Sequence, residues 1–214
     1  MHFHGSFLEN EEAFLKAAED LGIASLCVTV DVEENCEAAR FNALGSHPWW
    51  VTKTKNEEIR AKLNDFLNRS SDYKFFGEIG LDYSEKYHKG RKKQLKVFVM
   101  LSEIILWSDV AKSNFKPCIS IHSYKAEELV LDLVDTFDAA HAYNAVLHAF
   151  AGSQKELDKA IEVGCYFSYG LKQANSAKGR DYIKKLPLDR LLIESDLPHA
   201  EGDSDLTPEA YLDI

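Results

Sequence analysis

Apolar positions recur along this chain with two different periods. Short runs rich in β-branched and apolar residues predict strands at about residues 2–4, 23–30, 42–46, 74–79, 117–122, 143–149, 165–169 and 190–195. Between them the spacing becomes helical. Phe14, Leu15, Ala18 and Leu21 form one apolar face; Ile59, Leu63, Phe66 and Leu67 form another, and Leu129, Val130, Leu133, Val134 and Phe137 a third. Thr54 with Glu57 and Ser153 with Glu156 fit capping boxes, while Gly22 and Gly164 stand where helices must stop. Strands alternating with helices imply an α/β fold with a parallel sheet. Eight such repeats without a linker predict a single domain over residues 1–214, a closed (β/α)8 TIM barrel. The mean unit of about 27 residues is tight for an architecture that usually takes about 250, which leaves an open doubly wound sheet as the alternative.

Composition adds exclusions. With 45% apolar and 28% charged residues in 214, the chain can bury one sizeable core and is neither disordered nor fibrous. Lys plus Arg number 25 against 35 Asp plus Glu, a formal charge of −10, so bulk electrostatics do not hold this protein to nucleic acid or membrane. A nucleic-acid substrate needs a local basic patch or metal ions. Cys27, Cys36, Cys118 and Cys165 are widely spaced, which points to a reducing cytoplasm. The start of the chain has no signal-peptide pattern, and Glu103 interrupts the longest apolar candidate for a membrane span.

Candidate chemistry gathers at one end of the predicted strands, the carboxyl end, where a barrel keeps its active site. His2 and His4 lie two apart on the first strand and so share a face. Glu78, His122 and His148 each end an apolar run, and Asp196 follows another. Four imidazoles and two carboxylates suit Zn, Mn or Fe, and six ligands are too many for one open catalytic zinc. Two ions sharing a carboxylate, about 3.5–4 Å apart, fit better.

These residues stand in motifs that resemble the TatD family of metal-dependent hydrolases. The ordered set is His2-x-His4, Gly45-Ser46-His47-Pro48, Gly77-Glu78-Ile79-Gly80-Leu81-Asp82-Tyr83, Ile121-His122-Ser123, His148-Ala149-Phe150-Ala151-Gly152 and Glu194-Ser195-Asp196-x-Pro198. The family is a TIM-barrel branch of the amidohydrolase superfamily associated with metal-dependent deoxyribonuclease activity. The resemblance implies that His2, His4 and Asp196 hold one metal, that His122 and His148 hold the other, and that Glu78 bridges them. Three features differ from the family pattern. Only Met1 precedes His2, so the first strand is clipped; Tyr124 stands where an Arg is frequent; and the last helix, opened by Thr207-Pro208-Glu209, ends at Ile214.

Further residues carry secondary expectations. His47 is expected to touch substrate or support a ligand, whereas His88, His141 and His199 are expected to be solvated. Lys86, Lys89, Arg91, Lys92 and Lys93 against Glu85 give a local charge of +4, interleaved with Tyr83 and Tyr87, which can steer a polyanion and stack an unpaired base. The sequence therefore predicts a phosphodiesterase or deoxyribonuclease acting on DNA ends or single strands with two divalent ions (Zn, Mn or Mg). Glu78 and Asp196 are its catalytic carboxylates, a hydroxide held between the ions attacks phosphorus, and Asp196 moves the proton. His47, Tyr83 and Tyr124 are expected at the substrate. An amide or ester hydrolase on the same metals and a silent binding scaffold are the alternatives. The two thinned ends would meet at the barrel seam, which predicts a second copy of the chain there, or further native residues at an end.

Overall fold

The computed structural model describes residues 2–4, 11–34, 41–137 and 142–196. In chain order they form β1 (His2–Phe3), α1 (Glu11–Asp20), β2 (Leu26–Cys27), β3 (Phe41–Leu44), α2 (Pro48–Lys53), α3 (Asn56–Arg69), β4 (Phe75–Gly80) and α4 (Arg91–Trp107). There follow β5 (Cys118–His122), α5 (Glu127–Phe137), β6 (Asn144–His148), α6 (Gln154–Val163), β7 (Tyr166–Tyr169), α7 (Leu171–Ala174), α8 (Ala177–Ile183) and β8 (Leu191–Ile193). The eight strands pair in sequence order, β1 through β8, and every pairing is parallel. His4 follows β1 and Asp196 follows β8, at opposite ends of this ladder, yet His4 Nε2 and Asp196 Oδ1 are 3.6 Å apart. The sheet thus curls back on itself as the expected barrel, and the open doubly wound sheet is set aside.

Alternation along the strands separates two interiors. Ile119, Ile121, Leu147 and Phe167 join Phe66, Leu101, Ile105, Val130 and Leu157 of the helices in one apolar cluster. Each such side chain, fully buried, contributes about 1.5–3 kcal/mol. The intervening Ser120, His122, His148 and Ser168 take the opposite face, inside the barrel. That period of two carries the imidazoles to the barrel mouth.

Local signals decide where elements stop. Ser153 accepts from the Glu156 N–H while the Glu156 carboxylate accepts from Ser153 N, the expected capping box, and Gly164 closes α6 at φ 93°. The other capping box does not form. Thr54 donates its hydroxyl to the Trp50 carbonyl at 2.9 Å and closes α2, so α3 begins at Asn56 behind Lys55, which has no side-chain cap. The cause is a short helix that the spacing did not signal: Pro48 at its start and Thr54 at its end claim the segment. β2 is also shorter than its apolar run, because Thr29 N donates to Gly77 O and Glu78 N to Thr29 O, both at 3.1 Å. Past Cys27 the backbone leaves the β3 ladder and bonds to β4.

Cys36, His141, His199, the side chain of His2 and the expected last helix lie outside the described residues. Among the described residues Cys27 and Cys118 are free thiols, and no helix is long and apolar enough to cross a membrane.

Candidate metal centre

Glu78 sits at the centre of the barrel mouth with 1% of its surface exposed. The ladder between β4 and β5 shifts register between Phe76 and Ile79, which sets Glu78 apart from the regular strand. Gly80, at φ 141°, lets β4 hug β5 there, since a Cβ would lie 2.1 Å from the His122 carbonyl oxygen.

Its two carboxylate oxygens face different partners. Oε1 is 2.6 Å from His122 Nδ1 and 3.4 Å from His47 Nε2. Oε2 is 3.6 Å from His4 Nε2, which is also 3.6 Å from Asp196 Oδ1. Asp196 Oδ1 in turn lies 3.0 Å from His148 Nε2. Two groups able to hold a cation result, His47 with Glu78 and His122, and His4 with Glu78 and Asp196, the ligand atoms of each within 4.8 Å of one another. Mixed imidazole and carboxylate donors of this kind fit borderline divalent metals.

The charge balance points the same way. Burial pushes the Glu78 carboxyl up, but the neighbouring His148 charge and the hydrogen bonds from His122 and His47 outweigh it and hold it well below the usual range. Burial likewise opposes ionisation of Asp196, and His148 overcomes it. His122 is pushed down by burial yet carried to about 9 by its bonds to Asp82 and Glu78. His148 also rises, because the charges of Glu194, Glu78 and Asp196 exceed its burial cost. His47 differs: burial dominates and lowers it to about 4, keeping the imidazole neutral. Clustered carboxylates demand positive charge, and in the metal-free chain protonated His122 and His148 supply it.

Two carboxylates outside the expected site residues, Glu194 and Asp82, complete the centre. Glu194 Oε2 is 2.6 Å from His148 Nδ1, and Asp82 Oδ2 is 3.3 Å from His122 Nε2. A carboxylate on the far nitrogen fixes the orientation of a ligating imidazole. Both were within reach of the strand pattern, since Glu194 lies two residues before Asp196 and Asp82 four after Glu78. Asp82 also accepts from Trp49 Nε1 at 2.5 Å and from Ser84 N at 2.8 Å.

Above this floor lies a cavity of about 370 Å³, with His4, His47, Glu78, His122, His148 and Asp196 in its lining. One wall is aromatic and basic: Trp49, Trp50, Lys53, Lys86 and Tyr87. Tyr83 and Tyr124 are not among the lining residues. Tyr83 donates its backbone N–H to Tyr124 O at 2.9 Å, and the Tyr124 side chain is exposed. Of the basic run, only Lys86 reaches the cavity. Arg91 donates to Tyr83 O at 2.8 Å, and Lys93 Nζ donates to Thr52 O and Thr54 O at 3.1 and 2.7 Å. His88 is exposed, as expected, with Nδ1 2.7 Å from Glu85 O.

Known proteins share this frame. The crystal structure of the TatD homologue YjjV from Escherichia coli superposes with a TM-score of 0.75 at 23% identity, covering 99% of this chain and 85% of that one. A metal-dependent hydrolase of Bacillus subtilis is 30% identical over 174 residues, 80% of this chain and 61% of its own length. The deoxyribonuclease Tat-D of Schizosaccharomyces pombe is 22% identical over 207 residues, 89% of this chain and 64% of its own. The chain thus spans a little over three fifths of the length of these two relatives. The model of the TatD-related DNase family matches residues 1–210, so the chain belongs to that family.

Proposed function

We propose that this chain is a metal-dependent phosphodiesterase that cleaves nucleic acid at ends or in single strands. The observation that carries the reading is the division of labour at Glu78, whose two oxygens face two separate donor groups. We place one divalent ion with His2, His4 and Asp196, a second with His122 and His148, and Glu78 between them. His47 stands beside the second ion as a further neutral imidazole. Bound there, such ions supply Lewis acidity toward phosphoryl oxygens and lower the pKa of water.

The residues have separable tasks. Glu78 fixes the spacing of the two groups, while Glu194 and Asp82 orient His148 and His122 through their far nitrogens. Asp196 is the more open carboxylate of the floor, its side chain 30% exposed against 1% for Glu78. That opening lets it accept the proton of the attacking water and return it to the leaving oxygen. Tyr124, the motive for an amide or ester substrate, does not line the cavity, and the retained donor set weighs against a silent scaffold.

The test has two arms. Protein loaded with Zn or Mn and desalted should retain close to two ions per chain; Glu78→Ala should disturb both, and His148→Ala only one. Glu78→Ala that holds two ions as tightly as the parent overturns the bridge. The loaded protein should also turn over oligonucleotides and simple phosphodiesters, single strands faster than duplex. Amide or ester hydrolysis without phosphodiester hydrolysis overturns the reading. The same reading takes residues 1–214 as one barrel in the cytoplasm, with a second copy at the barrel seam, beside which Leu192 and Ile193 of β8 are exposed. Sedimentation showing only monomer at all concentrations removes that last element.

A further inference from the structure

The basic and aromatic wall of the cavity has no task in holding metal. Lys53 and Lys86 line the same cavity as Glu78 and Asp196, and among the described residues neither has a carboxylate partner. In a chain of formal charge −10, two such cations at one cavity wall call for an anion from outside. The reacting phosphate is assigned to the floor, where ions held by Glu78 and its partners would take it, which leaves the wall for a neighbouring anion.

The wall is also prebuilt. Lys93 and Gln94 bolt α2 to the start of α4: Lys93 Nζ takes two carbonyls at the end of α2, and Gln94 Nε2 donates to Thr52 Oγ1 at 2.8 Å while its Oε1 accepts from Asp82 N at 2.8 Å. Gly90 completes the seat, because a Cβ there would meet Thr52 Oγ1 at 2.4 Å. Trp49 is stacked on Tyr87 at 5.4 Å and 15°, with its Nε1 fixed on Asp82. Lys86 Nζ lies 5.1 Å from the Tyr87 ring and 5.9 Å from Trp49. Trp50, half-buried, packs on the core with Lys62 Nζ 5.3 Å from its ring. Fixed aromatic surface beside cations that have no carboxylate partner is the combination that binds an unpaired strand, base against ring and phosphate against ammonium.

We infer that Lys53, Lys86, Trp49 and Trp50 form a subsite for the nucleotide next to the cleaved bond, the lysines taking its phosphate and the indoles its base. This deepens the phosphodiesterase reading and rests on it. The probe is a fluorescent phosphorothioate oligothymidylate, which keeps its backbone charge and resists cleavage, bound to the metal-loaded protein across a salt series. Lys53→Gln and Lys86→Gln should each weaken binding about two- to fivefold. Each should also flatten the log–log salt slope by roughly 0.7. Lys16→Gln, removing a charge ion-paired with Asp20 on α1, is the control that changes neither. A second readout uses Trp107→Phe, which removes the exposed tryptophan of α4 and leaves Trp49 and Trp50 as the fluorophores; the oligothymidylate should quench them.

Parent-like affinity and slope in both lysine variants, or no quenching, overturns the subsite. Hydrolysis of bis(p-nitrophenyl) phosphate by the parent separates this from the chemistry. If that diester is cleaved and the lysines do not matter, the subsite falls and the phosphodiesterase reading stands. If the lysines matter and no diester is cleaved, the binding site stands and the reaction falls.

Discussion

At the scale of single residues, the floor of the barrel sets up a competition between protons and metal ions. In the metal-free chain His122, with a pKa raised to about 9, and His148, raised well above the usual range, are protonated at neutral pH. An imidazole must be neutral to ligate. Metal binding at pH 7.5 should therefore release protons. Affinity should climb as pH rises toward 9, the sign expected for groups whose pKa is raised in the metal-free fold. Calorimetry in two buffers of different ionisation enthalpy counts the protons; equal apparent enthalpies would refute the exchange. Asp196 carries the second prediction at this scale. Asp196→Asn keeps the volume and loses the proton acceptor, so phosphodiester turnover at matched metal loading should fall by at least about 10²-fold, with substrate affinity changing less. Turnover like the parent's would remove Asp196 from the reaction. The gathering of side chains at the cavity is legible where a ligand type ends an apolar strand, as at His122 and His148. The sequence is less telling for Asp82 and Glu194, whose roles exist only through contact with an imidazole on another strand.

The elements show why Glu78 sits where it does. The Thr29 backbone bonds to Gly77 and Glu78 across the intervening β3, and Thr29 Oγ1 accepts from Gly45 N at 2.8 Å while donating to Ala43 O at 3.3 Å. Gly45 fills the crossing. A Cβ there would lie 2.4 Å from Gly77 C and O and 2.5 Å from Thr29 O, all backbone atoms that cannot rotate away. Gly45→Ala should therefore separate β2 from β4, costing about 1–3 kcal/mol in overpacking strain and displacing the shared carboxylate. A fall in the denaturation midpoint together with weaker retention of both ions is expected. Lost stability with metal binding intact would mean that the crossing does not position Glu78. Sequence pattern predicts the strand run 23–30 as one strand because apolar periodicity is blind to which neighbour receives the hydrogen bonds. The six-residue α2 leaves no such signal either: it is too short for helical periodicity, and its Trp49-Trp50 pair reads equally well as strand.

For the whole molecule, closure of the barrel and occupation of its centre are one problem. β1 and β2 pair over only two positions, His2 with Leu26 and Phe3 with Cys27, and β8 is three residues long. The contact of His4 with Asp196 joins these two short strands, and both reach Glu78 of β4 through the same group. An ion held there would staple residues 4, 78 and 196, binding the folded state and not the unfolded chain. At a free concentration of 100 times its dissociation constant such an ion adds about 2.7 kcal/mol of stability, or roughly 5–10 °C in Tm for a chain of this size. Chelation should reverse that gain unevenly. Amide exchange should rise first in β1 and β8, which depend on the staple. Strands β4, β5 and β6, which share longer ladders and the apolar cluster of Ile119, Ile121 and Leu147, should stay protected. Exchange measured by mass spectrometry before and after chelation gives the answer. A uniform rise across all strands, or none in β1 and β8, would mean that the barrel closes without help from its metal.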